Sequence, residues 1–196
     1  MIAAIVLAAG SSSRMGESKQ LLDIHGEKLL SRTVRTVSGS QIHDIVVVLG
    51  AFQDAHRLIL QDMQVDVIFN KHWEKGMGSS IKTGLEHLRQ KHSNLEAVVI
   101  FVCDQPLLSV DIIADIIRKY QETGKPIIAC TYADTPGVPV LFNSSLFREL
   151  VNLPDDQGAK KLILQNLSDV EQVLFRGGAI DLDTIGDYRN FLSREA

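Results

Sequence analysis

The residues able to do chemistry stand at the ends of apolar runs. Asp104, within CDQP (103–106), follows AVVIFV (97–102), and Asp181 and Asp183 follow a short apolar turn in IDLDT (180–184). Arg14 and Lys19 close a Gly/Ser-rich stretch, AAGSSSRMGESKQLL (8–22), directly behind IAAIVL (2–7). A carboxylate at the end of a buried strand costs desolvation energy unless a cation pairs with it, and Mg2+ or Mn2+ bridging to phosphate is a natural partner. Where a strand opens into glycine and serine, backbone N–H groups can converge, and the Arg and Lys beyond add positive charge. The combination suits a polyanionic phosphate, although the spacing fits neither the GxxxxGK[ST] loop nor GxGxxG. Each motif also has a plainer reading. The first is an ordinary strand-to-helix loop with solvated charges. Asp104 caps the helix beginning near 109, and Asp183 or Thr184 caps the last helix.

Two further segments could border a ligand. In NKHWEKGMGSSIKTGL (70–85), Gly76, Gly78, Ser79 and Ser80 lie where a strand gives way to a helix, so the chain can approach a planar base or ribose. Trp73, the single tryptophan, reads as covering the core edge, and His72 as a surface residue between Lys71 and Lys75. DDQGAKKLI (155–163) offers Asp156, Gly158, Lys160 and Lys161 to an anionic acceptor, or equally a capped helix with two solvated lysines. No Ser/His/Asp or Cys/His set supports a protein nucleophile. Cys103 and Cys130 sit in apolar runs as buried thiols and make a structural zinc site improbable.

These residues need a sheet to hold them. The runs 2–7, 44–50, 65–69, 97–102 and 126–131 are nearly continuous apolar stretches, as in parallel strands covered on both faces. Helical patterns fill the gaps at about 27–38, 52–61, 78–90 and 109–122. Phe52, Ala55, His56 and Ile59 share a face of the second helix, and Ile81, Leu85 and Leu88 a face of the third. Ser109 is the expected N-cap of the fourth and Gly124 its stop. The alternation predicts an α/β fold, three layers with a mostly parallel sheet, as one domain over 1–196. Pro139 demotes its run to an edge strand or a strand start. Short helices at 144–151 and 158–167, a strand at 171–175 and a last helix at 184–193 complete the expectation.

The 196 residues carry a formal net charge of −4, with 45% hydrophobic and 22% charged residues. A net negative chain of this kind argues against coating nucleic acid, while a nucleotide needs only a few local cations. No apolar run is long enough to span a membrane, and the N-terminus lacks a signal-peptide pattern, so a cytoplasmic protein is expected.

Taken together, the motifs resemble the molybdenum cofactor nucleotidyltransferases, particularly the cytidylyltransferases. LAAGSSSRMGESKQLL, NKHWEKGMGSSIKTGL, CDQP, GVPVLF, DDQGAKKL and IDLDTIGDY match that family's segments in order, from residue 2 to about 191. The resemblance implies a Rossmann-like nucleotidyltransferase fold. It also implies transfer of CMP from CTP to the terminal phosphate of the molybdenum-pterin cofactor, with pyrophosphate released. Leu7, Ala8, Ala9, Gly10, Arg14 and Lys19 would bind the nucleotide, with Gly76, Gly78, Ser79 and Ser80 along its border. Arg14 and Lys19 would stabilise charge at the α-phosphate, and Asp104 and Asp183 would hold Mg2+ or Mn2+. Gly137, Pro139, Asp156, Gly158 and Lys160 would face the pterin acceptor. Ala9, where guanosine-using relatives have glycine, favours CTP. The partner implied is a molybdenum hydroxylase of the xanthine dehydrogenase type or its chaperone. Two alternatives stay open: a nucleotidyltransferase acting on a sugar or polyol phosphate, and a non-catalytic nucleotide- or cofactor-binding accessory protein.

Overall fold

A computed structural model describes residues 1–12 and 15–195. The first apolar run forms β1 (Ile2–Ala8) and is followed by a small hairpin, β2 (Asp23–Ile24) and β3 (Glu27–Lys28). Then come α1 (Leu29–Ser38), β4 (Asp44–Leu49), α2 (Gln53–Ile59), β5 (Asp66–Phe69), α3 (Met77–Lys91) and β6 (Ala97–Val102). The second half contains α4 (Val110–Thr123), β7 (Ile127–Tyr132), β8 (Thr135–Asn143), α5 (Phe147–Val151), α6 (Ala159–Gln165), β9 (Val170–Leu174) and α7 (Ile185–Glu195).

Seven strands make one sheet in the order β5-β4-β1-β6-β8-β7-β9. All the pairings are parallel except the two that β8 makes with β6 and β7. Alternate residues of each strand feed opposite layers. Ala4, Val6 and Ala8 of β1 join Val34, Leu60 and Ile116 from α1, the end of α2 and α4. Ala3, Ile5 and Leu7 join Ile81, Leu85, Phe147 and Ile163 from α3, α5 and α6. The three-layer α/β/α expectation therefore holds, and the five apolar runs lie in one sheet.

The chain moves outward from β1 to β4 and β5, then returns through α3 to lay β6 on the other side of β1. Strand order reverses at β1, which opens a crevice beyond the carboxyl ends of these strands. A third apolar cluster, Met15, Leu22, Ile24 and Leu29 with Leu182 and Phe191, fixes the hairpin against the segment leading into α7. This satellite carries Lys19 and Asp183 to the same edge.

Three local expectations are corrected. The run containing Pro139 is an internal strand, not an edge. The β7–β8 register shifts between Ala129, paired with Val140, and Cys130, paired with Gly137. Pairing with β6 ends at Val140. Pro139 therefore falls in the bulge, where no ladder N–H is required. In α2 the buried face is His56 with Leu60, while Phe52 is 52% exposed and Ala55 also faces water. Phe52 has φ 57° and stands before the helix, so its side chain lies off the helical stripe. The expected helix over 144–151 is a 3-10 turn (Ser144–Leu146) running into the short α5. Ser109 and Gly124 act as expected: the Ser109 hydroxyl accepts from the Ile112 N–H, and Gly124 adopts φ 63°.

Candidate functional site

Lys19 is the hub at the strand ends. Its ammonium donates to Asp104 Oδ2 at 2.6 Å and to Asp183 Oδ1 at 3.1 Å, joining residues 85 and 164 positions away. Asp104 stands just past β6, and its carbonyl accepts the Leu182 N–H at 2.9 Å, so the 180–183 segment is laid alongside it. The capping alternative for the last helix divides cleanly. Thr184 and Asp187 form a reciprocal cap, with Thr184 N and Oγ1 donating to Asp187 Oδ2 and Asp187 N donating to Thr184 Oγ1. Asp183 is thereby left to meet Lys19.

The charges of the cluster act on one another. Burial alone would lower the Lys19 pKa, but Asp104 and Asp183 outweigh it and leave it raised. The Asp181 carboxyl is pushed up to about 6, first by burial and then by Asp104 and Asp183. Asp104 and Asp183 both meet the Lys19 ammonium, and Asp181 stands close enough to feel all three charges. Among the described residues no three His, Cys, Asp or Glu side chains converge to hold a metal by themselves. Two carboxylates with the remaining positions open fit a magnesium-type ion that completes its shell with phosphate and water.

Beside this cluster lies a cavity of about 350 Å³. Leu7, Ala9, Gly10, Lys19, Gly76, Ser80 and Asp104 line it, and so do Gln20, Trp73, Glu74 and Met77. The N-terminus of the 15-residue α3 opens onto it through Met77 and Ser80, favouring anionic groups there. A larger groove of about 780 Å³ lies at the far end of α3, around Arg89, His92 and Arg148, away from the strand-end carboxylates.

Not every residue of the first motifs turns inward. Ala8 is fully buried in the layer under α1. Ser79 is spent on structure: its hydroxyl accepts from Asn70 Nδ2 at 2.8 Å and lies 2.7 Å from the Gly76 carbonyl. The glycines at 76 and 78 serve a close approach of protein to protein. A Cβ on Gly76 would sit 2.7 Å from the Asp155 carbonyl, and one on Gly78 would sit 2.3 Å from the Pro154 carbonyl. The space is taken by the 154–158 loop, which Lys82 ties down through Asp155 at 2.7 Å. Asp156 and Gly158 thus border the 76–78 segment through their backbones, with Lys160 exposed beyond them. Gly137 packs beneath the Tyr132 hydroxyl, and Pro139 lies in the β8 bulge. Gln105 is a staple, its amide donating to the Val138 and Gly178 carbonyls. Arg14 lies outside the described residues.

Sequence reasoning missed Trp73 and Gln20 as cavity residues. Trp73 packs over Gly50 as well as lining the cavity. A lone tryptophan has no periodicity that would announce this. For Gln20 the available signal was its place beside Lys19.

A doubly wound sheet with a lysine–aspartate cluster at its switch point defines a nucleotidyltransferase fold. The family model described as "MobA-like NTP transferase domain" matches residues 4–170, and the chain belongs to that family. It is 29% identical over 189 residues to the purine catabolism protein PucB of Bacillus subtilis, covering 92% of this chain and 89% of that protein. Among solved structures, Rv0371c from Mycobacterium tuberculosis H37Rv aligns with a TM-score of 0.86 at 30% identity, over 98% of this chain and 97% of that one. Its complex with manganese aligns at 0.82 and 27% identity, over 98% of each chain.

The relatives correct the expectation of CMP transfer from CTP to the molybdenum-pterin cofactor. The cytidylyltransferase from Thermotoga neapolitana is named for 2-C-methyl-D-erythritol 4-phosphate. It is 27% identical over 139 residues, 69% of this chain and 61% of that protein. The molybdenum cofactor enzyme from Peptoclostridium acidaminophilum is named a probable guanylyltransferase. It is 28% identical over 130 residues, 65% of this chain and 54% of that protein. Cytidylyl transfer and molybdenum cofactor thus fall on different relatives. Ala9 bears on the nucleotide side alone: it is 7% exposed, its carbonyl accepts the Ala51 N–H at 3.0 Å and it lines the cavity beside Gly10, so it carries no information about the acceptor.

Proposed function

We propose that the protein transfers a nucleotidyl group from a nucleoside triphosphate to a sugar or polyol phosphate, with CTP as the donor. The observation that carries the reading is Lys19 held between Asp104 and Asp183 at the rim of a cavity lined by Leu7, Ala9, Gly10, Gly76, Met77 and Ser80. CTP and a polyol phosphate acceptor are supported by the cytidylyltransferase relatives of methylerythritol phosphate.

In this reaction an oxygen of the acceptor phosphate attacks the α-phosphorus. The bond from that phosphorus to the bridging oxygen breaks, and its electron pair leaves with pyrophosphate. Such a displacement is governed by positioning and charge, with no protein nucleophile required. Lys19 holds a phosphate oxygen as a compact cation, and Arg14 supplies a second, forked contact. The backbone around Ala9–Gly10 and the α3 N-terminus receive the triphosphate. The 154–158 loop, seated on Gly76 and Gly78, presents the acceptor side. Asp104 and Asp183 are the residues that would hold a divalent ion. When bound, that ion neutralises charge on the triphosphate and on the leaving group.

The test is turnover of purified protein with each of the four NTPs and Mg2+ or Mn2+ against a panel of phosphate monoesters, read as pyrophosphate. Release that requires CTP and a sugar or polyol phosphate is expected. Release with GTP and a molybdenum-loaded pterin alone would replace the proposed acceptor and donor together.

A further inference from the structure

A line of buried polar side chains runs from α2 into the cavity. Gln20, 2% exposed, aims its amide nitrogen at the carbonyls of Ala8 (3.4 Å) and Gly10 (3.3 Å). Its Oε1 accepts from the Ser18 hydroxyl at 2.9 Å and lies 3.3 Å from the Ser12 hydroxyl. The Ser12 hydroxyl in turn accepts the Lys19 N–H at 3.0 Å. The Ser18 hydroxyl also lies 2.7 Å from His56 Nε2, so the serine joins the imidazole to Gln20 by hydrogen bonds. His56 is fully buried, and its Nδ1 has no partner among the described residues.

Burying three polar side chains is costly unless they are satisfied, and an apolar residue would fill position 20 more cheaply. What the arrangement achieves is directional. It occupies the Ala8 and Gly10 carbonyls from the protein side and so fixes the backbone that borders the cavity. It also anchors the backbone on both sides of Lys19, through Ser18 and Gln20. The Ala51 N–H to the Ala9 carbonyl adds a parallel backbone tie from the same β4–α2 corner.

We propose that Gln20, held by His56 through Ser18, is the positioning residue that sets the nucleotide-binding loop and the Lys19 backbone for the triphosphate. This rests on the nucleotidyltransferase reading above. It adds that recognition of the triphosphate depends on residues at positions 18, 20 and 56, two of which lie outside the cavity lining.

The single tryptophan lines the same cavity as Gln20 and Lys19, so its fluorescence reports binding directly. The experiment titrates full-length protein with CTP and Mg2+ and follows Trp73, alongside KM for CTP and KM for the acceptor. Gln20→Met keeps the shape and removes the amide. CTP should bind about tenfold or more weakly, the loss of one to two hydrogen bonds' worth of organisation, while the acceptor KM stays put. Ser18→Ala should shift CTP binding in the same direction, and Ser18→Thr, which keeps the hydroxyl, should restore it. A merely structural role would lower the melting temperature without this split or rescue. Wild-type affinity for CTP in Gln20→Met overturns the proposal. Should that variant not fold, equal CTP affinity in Ser18→Ala and Ser18→Thr overturns it instead. A wild-type protein that binds no NTP overturns the nucleotidyltransferase reading itself, and this inference with it.

Discussion

Replacing Lys19 with Met removes the one ammonium that Asp104 and Asp183 share, and the size of the effect follows from their burial. The Lys19 and Asp104 side chains are 18% and 21% exposed and meet at 2.6 Å, while Asp183 is 41% exposed at 3.1 Å. Removing one partner of a buried pair costs 3–5 kcal/mol, whereas an exposed pair is worth less than about 1 kcal/mol. This cluster lies between those limits, so Lys19→Met should cost about 2 kcal/mol. That corresponds to about 4–8 °C in Tm for a domain of this length. The penalty comes from carboxylates deprived of the Lys19 ammonium and so should shrink when one is neutralised. The double variant Lys19→Met/Asp104→Asn should melt above Lys19→Met alone, although both lack the pair. Calorimetry at low salt, without nucleotide, makes the comparison. Mg2+ should raise the Tm of Lys19→Met more than that of wild type, because loss of the ammonium leaves more negative charge for an ion to neutralise. If Lys19→Met melts as wild type, or Asp104→Asn lowers its Tm further, the cluster is not electrostatically coupled and the argument for a cation site collapses.

Gly78→Ala should destabilise by about 1–3 kcal/mol, because the new methyl would stand 2.3 Å from the Pro154 carbonyl and the 154–158 loop must move; chemical denaturation measures it, and an unshifted midpoint would show that the loop yields freely. Burial holds the His56 pKa down at about 4 against 6.5 in the unfolded chain. Its contribution to stability is therefore fully present above pH 6.5 and lost as pH falls toward 4, by at most about 3 kcal/mol. Unfolding of wild type and His56→Gln across that window should show the steeper loss in wild type, and identical slopes would refute the assignment. Cys103 and Cys130 are buried, and burial pushes both thiols up, Cys130 to about 12. Neither should react with an aromatic disulfide reagent until the protein is unfolded, and a fast native reaction would contradict their placement.

The sheet was largely legible because parallel strands covered on both faces must be nearly continuous apolar runs, as β1, β4 and β6 are. What hid β8 was Pro139: its effect depends on whether its missing N–H falls in the ladder or in a bulge, and register is a property of the pairing, not of the segment. The exposed face of α2 was misread because Phe52 sits in the left-handed region ahead of the helix, out of the helical period. Lys19 at the close of a Gly/Ser-rich stretch, and Asp104 and Asp183 past apolar runs, could be picked out individually, but their meeting required the hairpin and α7 to pack together around Ile24 and Leu182. Gly76 and Gly78 were recognised as positions of close approach, yet what approaches is the 154–158 backbone. The Gln20–Ser18–His56 line had no sequence signature, since its members are joined only by where α2 docks. The acceptor is the least legible feature: relatives of similar identity to this chain are named for different acceptors.

Nucleotidyl transfer has a stoichiometry that separates it from every other use of a triphosphate. Phosphorus NMR of a single reaction mixture, containing the protein, CTP, Mg2+ and a sugar or polyol phosphate, resolves all the products at once. The account predicts one pyrophosphate and one new diphosphate diester for each CTP consumed, both abolished together in Asp104→Asn. Inorganic phosphate with CDP, or CTP left intact with every phosphate monoester offered, would contradict it.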